Sequence, residues 1–546
     1  MPKIEIPLKD FLSLAGLKDT EGLEEKLEPL KAELDDLDEN TVKIELNDTN
    51  RPDLWTAEGV ARALRCYQGM KAEEHLKNLG EPDRYIEVSE DLRNIRPFIA
   101  AFTATGWTVD EEGLLSLIAA QEKLASSFGR ERRTAAIGFY SLEGISFPVS
   151  YRTETPATSF HPLGEESEMS LREILERTEA GVKYASLLKG FTRYPILRDN
   201  NGQILSFPPV LNSNTTGRVA PGHSALFCEV TGTDWHTVNL TATILACNLE
   251  DRGATIEPVE VRYSQMEDTV TPILYKDTLT AGMDEISAVL GEDASRLPLK
   301  KLLAKMDYTG ISVSGESVTA VMPPYRRDGI HPMDLIEDIA IAVGLNSIDP
   351  VLPTEYTVGS AAGIELLARS VKSLLVGTGC EEIIRPVLTS REKIKVLTRT
   401  PEDPIAIENP MTAEYGVVSN TLLPALLEVE SVSGHAAFPH RMFTVGEVLR
   451  RSDDGYCRTE VNLAVTAGDS DFGTVHSILG VLCHFRNLQL SLVETEDPRF
   501  IPGRSAEIVI QGRKAGVIGE FHPEVLEAWG ITVPVAGFEL VLERLG

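Results

Sequence analysis

The stretch RRDGIHPMDLIEDIAIAVGLN, residues 326–346, constrains this chain most, because it dictates a helix and sets a problem of charge. Leu335, Ile336, Ile339, Ala340 and Val343 recur at helical spacing and form an apolar face that needs a core beneath it. Pro332 suits a first helical turn, and Gly344 stands where a C′ glycine ends a helix. On the same helix Asp334, Glu337 and Asp338 fall at i, i+3 and i+4, one above another, with Asp328 just upstream. Like charges so placed cost an isolated helix about 0.2–0.5 kcal/mol per pair. A hard divalent cation held by oxygen ligands would offset that repulsion. So would simple solvation of an acidic face near the positive end of the helix dipole. Spacing alone leaves both readings open.

A chain of 546 residues is too long for one core, and three or four domains are expected. Residues 1–84 read as a small α+β domain: strands in KIEIPL and TVKIELN, helices in LKDFLSLAGL and EGLEEKLEPLKAELDDL, and a further helix capped by Thr56. Residues 85–268 mix helices and strands in an α/β domain. Its markers are a capping box at Ser170 and Glu173 and a hairpin turned at Asn201-Gly202. Residues 269–347 place two helices, TLTAGMDEISAVLG and LPLKKLLAKMDY, before a hairpin and the acidic helix, an order like winged-helix modules. Beyond a linker, residues 358–546 alternate strands and set-apart helices, ending in two closing strands, as an antiparallel sheet backed by helices would. The fold class expected is multidomain α+β.

No run of 18 or more apolar residues exists, and MPKIEIPLKDF lacks a signal-peptide core, so a cytoplasmic protein is expected. Six scattered cysteines form no CxxC pair, which fits a reducing compartment and argues against zinc. The net charge of −31 excludes nucleic-acid binding over most of the surface. Arginine clusters only locally, at Arg130, Arg132 and Arg133, at Arg326-Arg327 and at Arg450-Arg451, as solvated patches or phosphate contacts. Neither GxxxxGK[ST] nor a GxGxxG placed between strand and helix is present.

Four segments together carry a resemblance: LNDTNRPDLWTAEGVARAL (46–64), SFPPVLNSNTTGRV with FCEVTGTD (206–234), PPYRRDGIHPMDLIEDIAIAVGLNSI (323–348), and ENPMTAEYGVVSNTLLPALLE with FPHRMFTVGEVL (408–449). In that order they resemble the β subunit of the two-subunit phenylalanyl-tRNA synthetase, archaeal and eukaryotic form, over essentially the whole chain. The resemblance implies that Asp328, Asp334, Glu337 and Asp338 bind magnesium (Mg2+) at a contact with a catalytic α subunit. It implies an α2β2 heterotetramer that uses ATP to attach phenylalanine to tRNA(Phe).

The resemblance also implies that residues 85–268 hydrolyse tyrosine wrongly esterified to tRNA(Phe). A phenylalanine pocket discriminates weakly against an isostere that merely adds a hydroxyl, so a second pocket selecting for that hydroxyl is needed. Asp234 is the expected acceptor, with Asn212 and Ser213 orienting the ester or water; an N-cap role for Asp234 and a turn role for Asn212 and Ser213 compete with this. His161 reads as structural, and Arg51 and Asp53 as a structural pair. Arg132 and Arg133 either touch tRNA or are solvated. The terminal domain looks like a class II synthetase fold, but VAGFELVLERL lacks the glycine-rich, arginine-ended ATP motif, and HRMFTVGEVL lacks an Arg-x-Glu pair. Activation of phenylalanine is therefore expected in the partner. The alternative is a free-standing tRNA-binding or trans-editing hydrolase.

Overall fold

The computed structural model describes residues 2–70, 74–264, 266–452 and 454–546. The chain forms two compact units, Met1–Val351 and Leu352–Gly546. Both mix helices with sheets, as a multidomain α+β chain should.

At the start of the first unit, Thr41–Leu46 is the central strand of three, between Lys3–Pro7 and Ala32–Leu37. The last of these lies in the segment expected to be helical. Helix Leu23–Leu27 passes into one short turn at Glu28–Leu30, and Lys31 then takes φ 52°, a left-handed conformation that ends it. The freed backbone of Ala32–Leu37 pairs antiparallel with Thr41–Leu46 instead. Thr56 caps helix Ala57–Tyr67 by accepting from the Gly59 N–H at 3.1 Å. Gly59 is required there: a Cβ would lie 1.8 Å from the Asp53 carbonyl oxygen.

A ten-stranded mixed sheet follows, with Arg84–Val88, Thr255–Tyr263, Phe98–Thr105, Ala225–Gly232 and Ala136–Ser141 side by side at its centre and one edge. Helix Trp235–Asp251 packs on Phe98–Thr105 and Ala225–Gly232 and is buried along nearly its whole length. Its threonines tolerate this because their hydroxyls bond back one turn, Thr241 to the Thr237 carbonyl at 2.7 Å and Thr243 to that of Asn239 at 3.0 Å. At the far end of this helix Asp251 takes Arg62 at 2.5 Å, Arg65 at 2.8 Å and His75 at 3.1 Å. Burial alone would raise the Asp251 carboxyl, but Arg62 first, then His75 and Arg65, hold it down at about 2. The arginine pairs join helix Ala57–Tyr67 to helix Trp235–Asp251.

The small module of the first unit runs strand Thr278–Gly282, helices Met283–Leu290 and Leu299–Lys305, hairpin Thr309–Val313 with Ser317–Val321, and helix Pro332–Val343. The residues TLTAG, expected as the start of a helix, form a strand because they pair fully with Ser317–Val321. Leu335, Ile336 and Ile339 enter the module's core, Val343 packs at its edge, and Ala340 is half-buried.

In the second unit seven strands run in the order Glu381–Glu382, Arg441–Arg451, Cys457–Gly468, Val535–Val541, Arg513–Phe521, Phe500–Ile510 and Leu490–Glu494, antiparallel except at the Glu381 edge. Helices Gly363–Gly377 and Phe472–Phe485 share one core with Leu463, Val465 and Phe538. Helices Leu423–Val432 and Pro523–Trp529 share the other with Met442, Ala464 and Val535. Four strands follow Phe472–Phe485 where two were expected. Among the described residues no helix is long and apolar enough to cross a membrane.

Candidate functional site

The acidic helix begins as its sequence requires. Pro332 is in its first turn, His331 caps it, and the Asp334 carboxylate accepts the N–H groups of Ile330 at 2.8 Å and His331 at 2.7 Å. Asp328, Asp334, Glu337 and Asp338 all line one cavity of about 70 Å³. Each, however, has a partner of its own. Arg326, only 4% exposed, grips Asp328 through two nitrogens at 2.7 and 3.1 Å and reaches Asp338 at 2.9 Å. The Tyr308 hydroxyl donates to the same Asp338 oxygen at 2.8 Å. Glu337, on the open side, pairs with Lys31 at 2.7 Å. Burial would raise the Asp328 carboxyl; Arg326, and behind it Arg51, hold it down at about 2.

Among the described residues no group of three or more His, Cys, Asp or Glu is disposed to hold a metal ion. In this arrangement the four carboxylates serve Arg326, Lys31 and the helix start, and do not make a dication site by themselves. The expectation for Arg326 was a surface patch; it is instead the buried cation of the cleft. Arg51 and Asp53 pair with each other at 2.8 and 2.9 Å, and Arg51 also stands 3.9 Å from Asp328.

In the large sheet the other candidates fall into two places. Asp234 caps helix Trp235–Asp251, accepting from the Thr237 N–H at 2.8 Å and hydroxyl at 2.6 Å. Those bonds to Thr237 lower its carboxyl. Asn212 donates to the Phe139 carbonyl at 3.2 Å, and Phe139 pairs with Cys228. Cys228 precedes Asp234 by six residues, so Asn212 and Asp234 lie roughly 15–20 Å apart at 3.3 Å per strand residue. Ser213 is buried and its hydroxyl accepts the Thr215 N–H at 3.1 Å, a local turn. His161 contacts the Glu165 carbonyl at 2.6 Å. Arg132 is also structural: it donates to the Pro209 and Val210 carbonyls and lies over the Tyr184 ring, whereas Arg133 is exposed.

Beside Asn212 lies a residue that sequence reasoning passed over. Glu229, 3% exposed, takes the Tyr140 hydroxyl at 2.9 Å on one oxygen, and its other oxygen is buried without a partner. Burial pushes its carboxyl up to about 8, only partly countered by Tyr140 and Arg96. Ser206, the cross-strand neighbour of Asn212, is buried here too. The signal was present: a single acid in the middle of the apolar strand ALFCEVTG. Gly138 makes the approach feasible, since a Cβ there would stand 2.6 Å from Glu229 and 2.5 Å from the Tyr140 hydroxyl.

Two family models match this chain: the tRNA synthetase B5 domain over residues 279–345, and the phenylalanyl-tRNA synthetase β-chain CLM domain over residues 348–542. The small module with the acidic helix and the second unit are thus those of an aminoacyl-tRNA synthetase chain. A phenylalanine–tRNA ligase β subunit from Borrelia garinii subsp. bavariensis is 36% identical, covering 100% of this chain and 99% of the relative. One from Pyrococcus abyssi is 35% identical with 100% of both chains covered. An N-terminal fragment of the Pyrococcus horikoshii phenylalanyl-tRNA synthetase β subunit superimposes with TM-score 0.60 at 35% identity, over 63% of this chain and 100% of the fragment. The chain belongs to the phenylalanine–tRNA ligase β-subunit family.

Proposed function

We propose that this chain is the non-catalytic partner of an α subunit in a cytoplasmic α2β2 phenylalanine–tRNA ligase, the α subunit using ATP and magnesium to charge tRNA(Phe). Full-length similarity to β subunits carries the reading. It is supported by the Val535–Val541 strand, which sets Glu539, and no arginine, into the sheet where an ATP motif would fall. Purified with its partner, the chain should yield a stoichiometric complex that charges tRNA(Phe); charging by this chain alone would overturn the reading. A free-standing hydrolase is disfavoured by the full-length match.

The editing reaction is proposed for the large sheet, with Glu229 in place of Asp234 as the group that hydrogen-bonds the tyrosine hydroxyl and Asn212 beside it. An unpartnered buried oxygen supports this, because a site left with an unpaired polar group rejects the ligand that cannot satisfy it. Deacylation of tyrosyl-tRNA(Phe) by the assembled enzyme measures it. Glu229→Gln should slow hydrolysis at least tenfold and Asp234→Asn much less; the reverse order would return the role to Asp234.

Magnesium at Asp328, Asp334, Glu337 and Asp338 is proposed for the assembled enzyme. Their shared cavity supports it, and the ion pairs to Arg326 and Lys31 compete with it. Replacing Glu337 and Asp338 by alanine should lower the magnesium retained by the purified complex and weaken subunit association. Unchanged metal content and assembly would remove these residues from the ligand set.

A further inference from the structure

The second unit holds a cavity of about 270 Å³ bordered by strands Cys457–Gly468, Phe500–Ile510, Arg513–Phe521 and Val535–Val541. At roughly 30 Å³ per water this is the volume of about nine waters, enough for an amino acid or a diamine. One wall is Glu539, 5% exposed, which accepts the Asn462 amide at 2.7 Å, the Leu422 N–H at 2.9 Å and the Thr421 hydroxyl. All these donors are neutral.

Asn462 and Asn420 are 1% and 3% exposed, and both line the cavity. Their amide nitrogens donate to groups that can only accept, the Glu539 carboxylate and the Glu402 carbonyl. That fixes which end of each amide is the oxygen. Both amide oxygens are buried without a partner, and so is the hydroxyl of Thr400 on the same wall, 5% exposed. Each of the three wall cations, Arg450, Arg499 and Lys514, is paired with a carboxylate of the wall. Among the described residues Glu539 has no ion pair of its own and shares the field of Arg499 and Arg385, so with five carboxylates against three cations the wall is net negative. What it lacks is a cationic ligand rich in N–H donors.

The geometry points to a binding site for a small organic ammonium ion, its N–H groups directed at Asn420, Asn462 and Thr400 and its charge balanced by the surplus carboxylates. Neutral amide and hydroxyl oxygens supply the acceptors, and no group of three or more His, Cys, Asp or Glu among the described residues is disposed for a metal. The site is independent of the ligase and editing readings.

Calorimetric titration of the full chain with 1,4-diaminobutane tests it, against the fully N-methylated analogue that keeps the charge and loses every N–H. Saturable binding of the diamine is expected, at least tenfold tighter than the analogue, and at least tenfold weaker in Thr400→Val and Asn420→Leu. Absence of saturable binding by the parent chain, or equal affinity for the two amines, overturns the site even if the variants misfold. Unchanged affinity in both folded variants places binding elsewhere and overturns it too.

Discussion

The acidic cleft of the small module and the Glu229 position in the large sheet are both buried places with carboxylates, and they solve the problem in opposite ways. In the cleft, Arg326 bridges Asp328 and Asp338, Lys31 covers Glu337, and backbone N–H groups satisfy Asp334. At Glu229 a tyrosine hydroxyl covers one oxygen, and the other has nothing. In the first, each of these four carboxylates has a partner; at the second, one carboxylate oxygen has none. The four acids crowded in sequence are thus the ones already partnered, and the lone acid in an apolar strand keeps a buried oxygen without a partner.

The largest way to break this contrast is Arg326→Met. It leaves Asp328 and Asp338 buried without their cation and should cost about 3–5 kcal/mol in urea unfolding. A loss below 1 kcal/mol would mean that the two aspartates find other partners.

Next comes Glu229→Gln, through its pH dependence. The folded carboxyl near 8 stands above its ordinary 4.5, so the native state holds a proton that the unfolded chain has released. The parent should therefore lose stability relative to the glutamine variant as pH rises from 4.5 to 8, by up to about 1.4 kcal/mol per unit. Asp328, held near 2, works with the opposite sign: its stabilisation is complete above pH 4 and is lost as pH falls towards 2. A difference between parent and Glu229→Gln that is flat with pH would erase the distinction between the two regions.

Smallest of all, Glu337→Gln should change stability by under about 1 kcal/mol, because its pair with Lys31 lies at the open side of the cleft. A larger loss in thermal unfolding would show that the whole cleft acts as one network.

Much of this molecule was legible in the residues. Thr56, the Ser170–Glu173 box, the Asn201-Gly202 hairpin and the bounds of the acidic helix follow from chemistry within a few neighbours, and all are present. Misread segments share one cause: AELDDL and TLTAG, expected in helices, become strands through partners lying 5 to 43 residues away. The candidate acids divide the same way. Asp234 follows Gly-Thr and precedes a helix, and the capping geometry allowed for from its neighbours is what forms. That Arg326 turns inward between two aspartates, and that Glu229 ends beside Tyr140, depends on elements far apart in the chain.

Local propensity, caps and apolar periodicity, each acting over a few residues, determined most element types of this protein, and the order of four segments its family. Tertiary structure alone decided which carboxylates are neutralised and which, Glu229 among them, keep a buried oxygen without a partner. Burial and Coulomb interaction depend on distance in space, and strand pairing sets those distances.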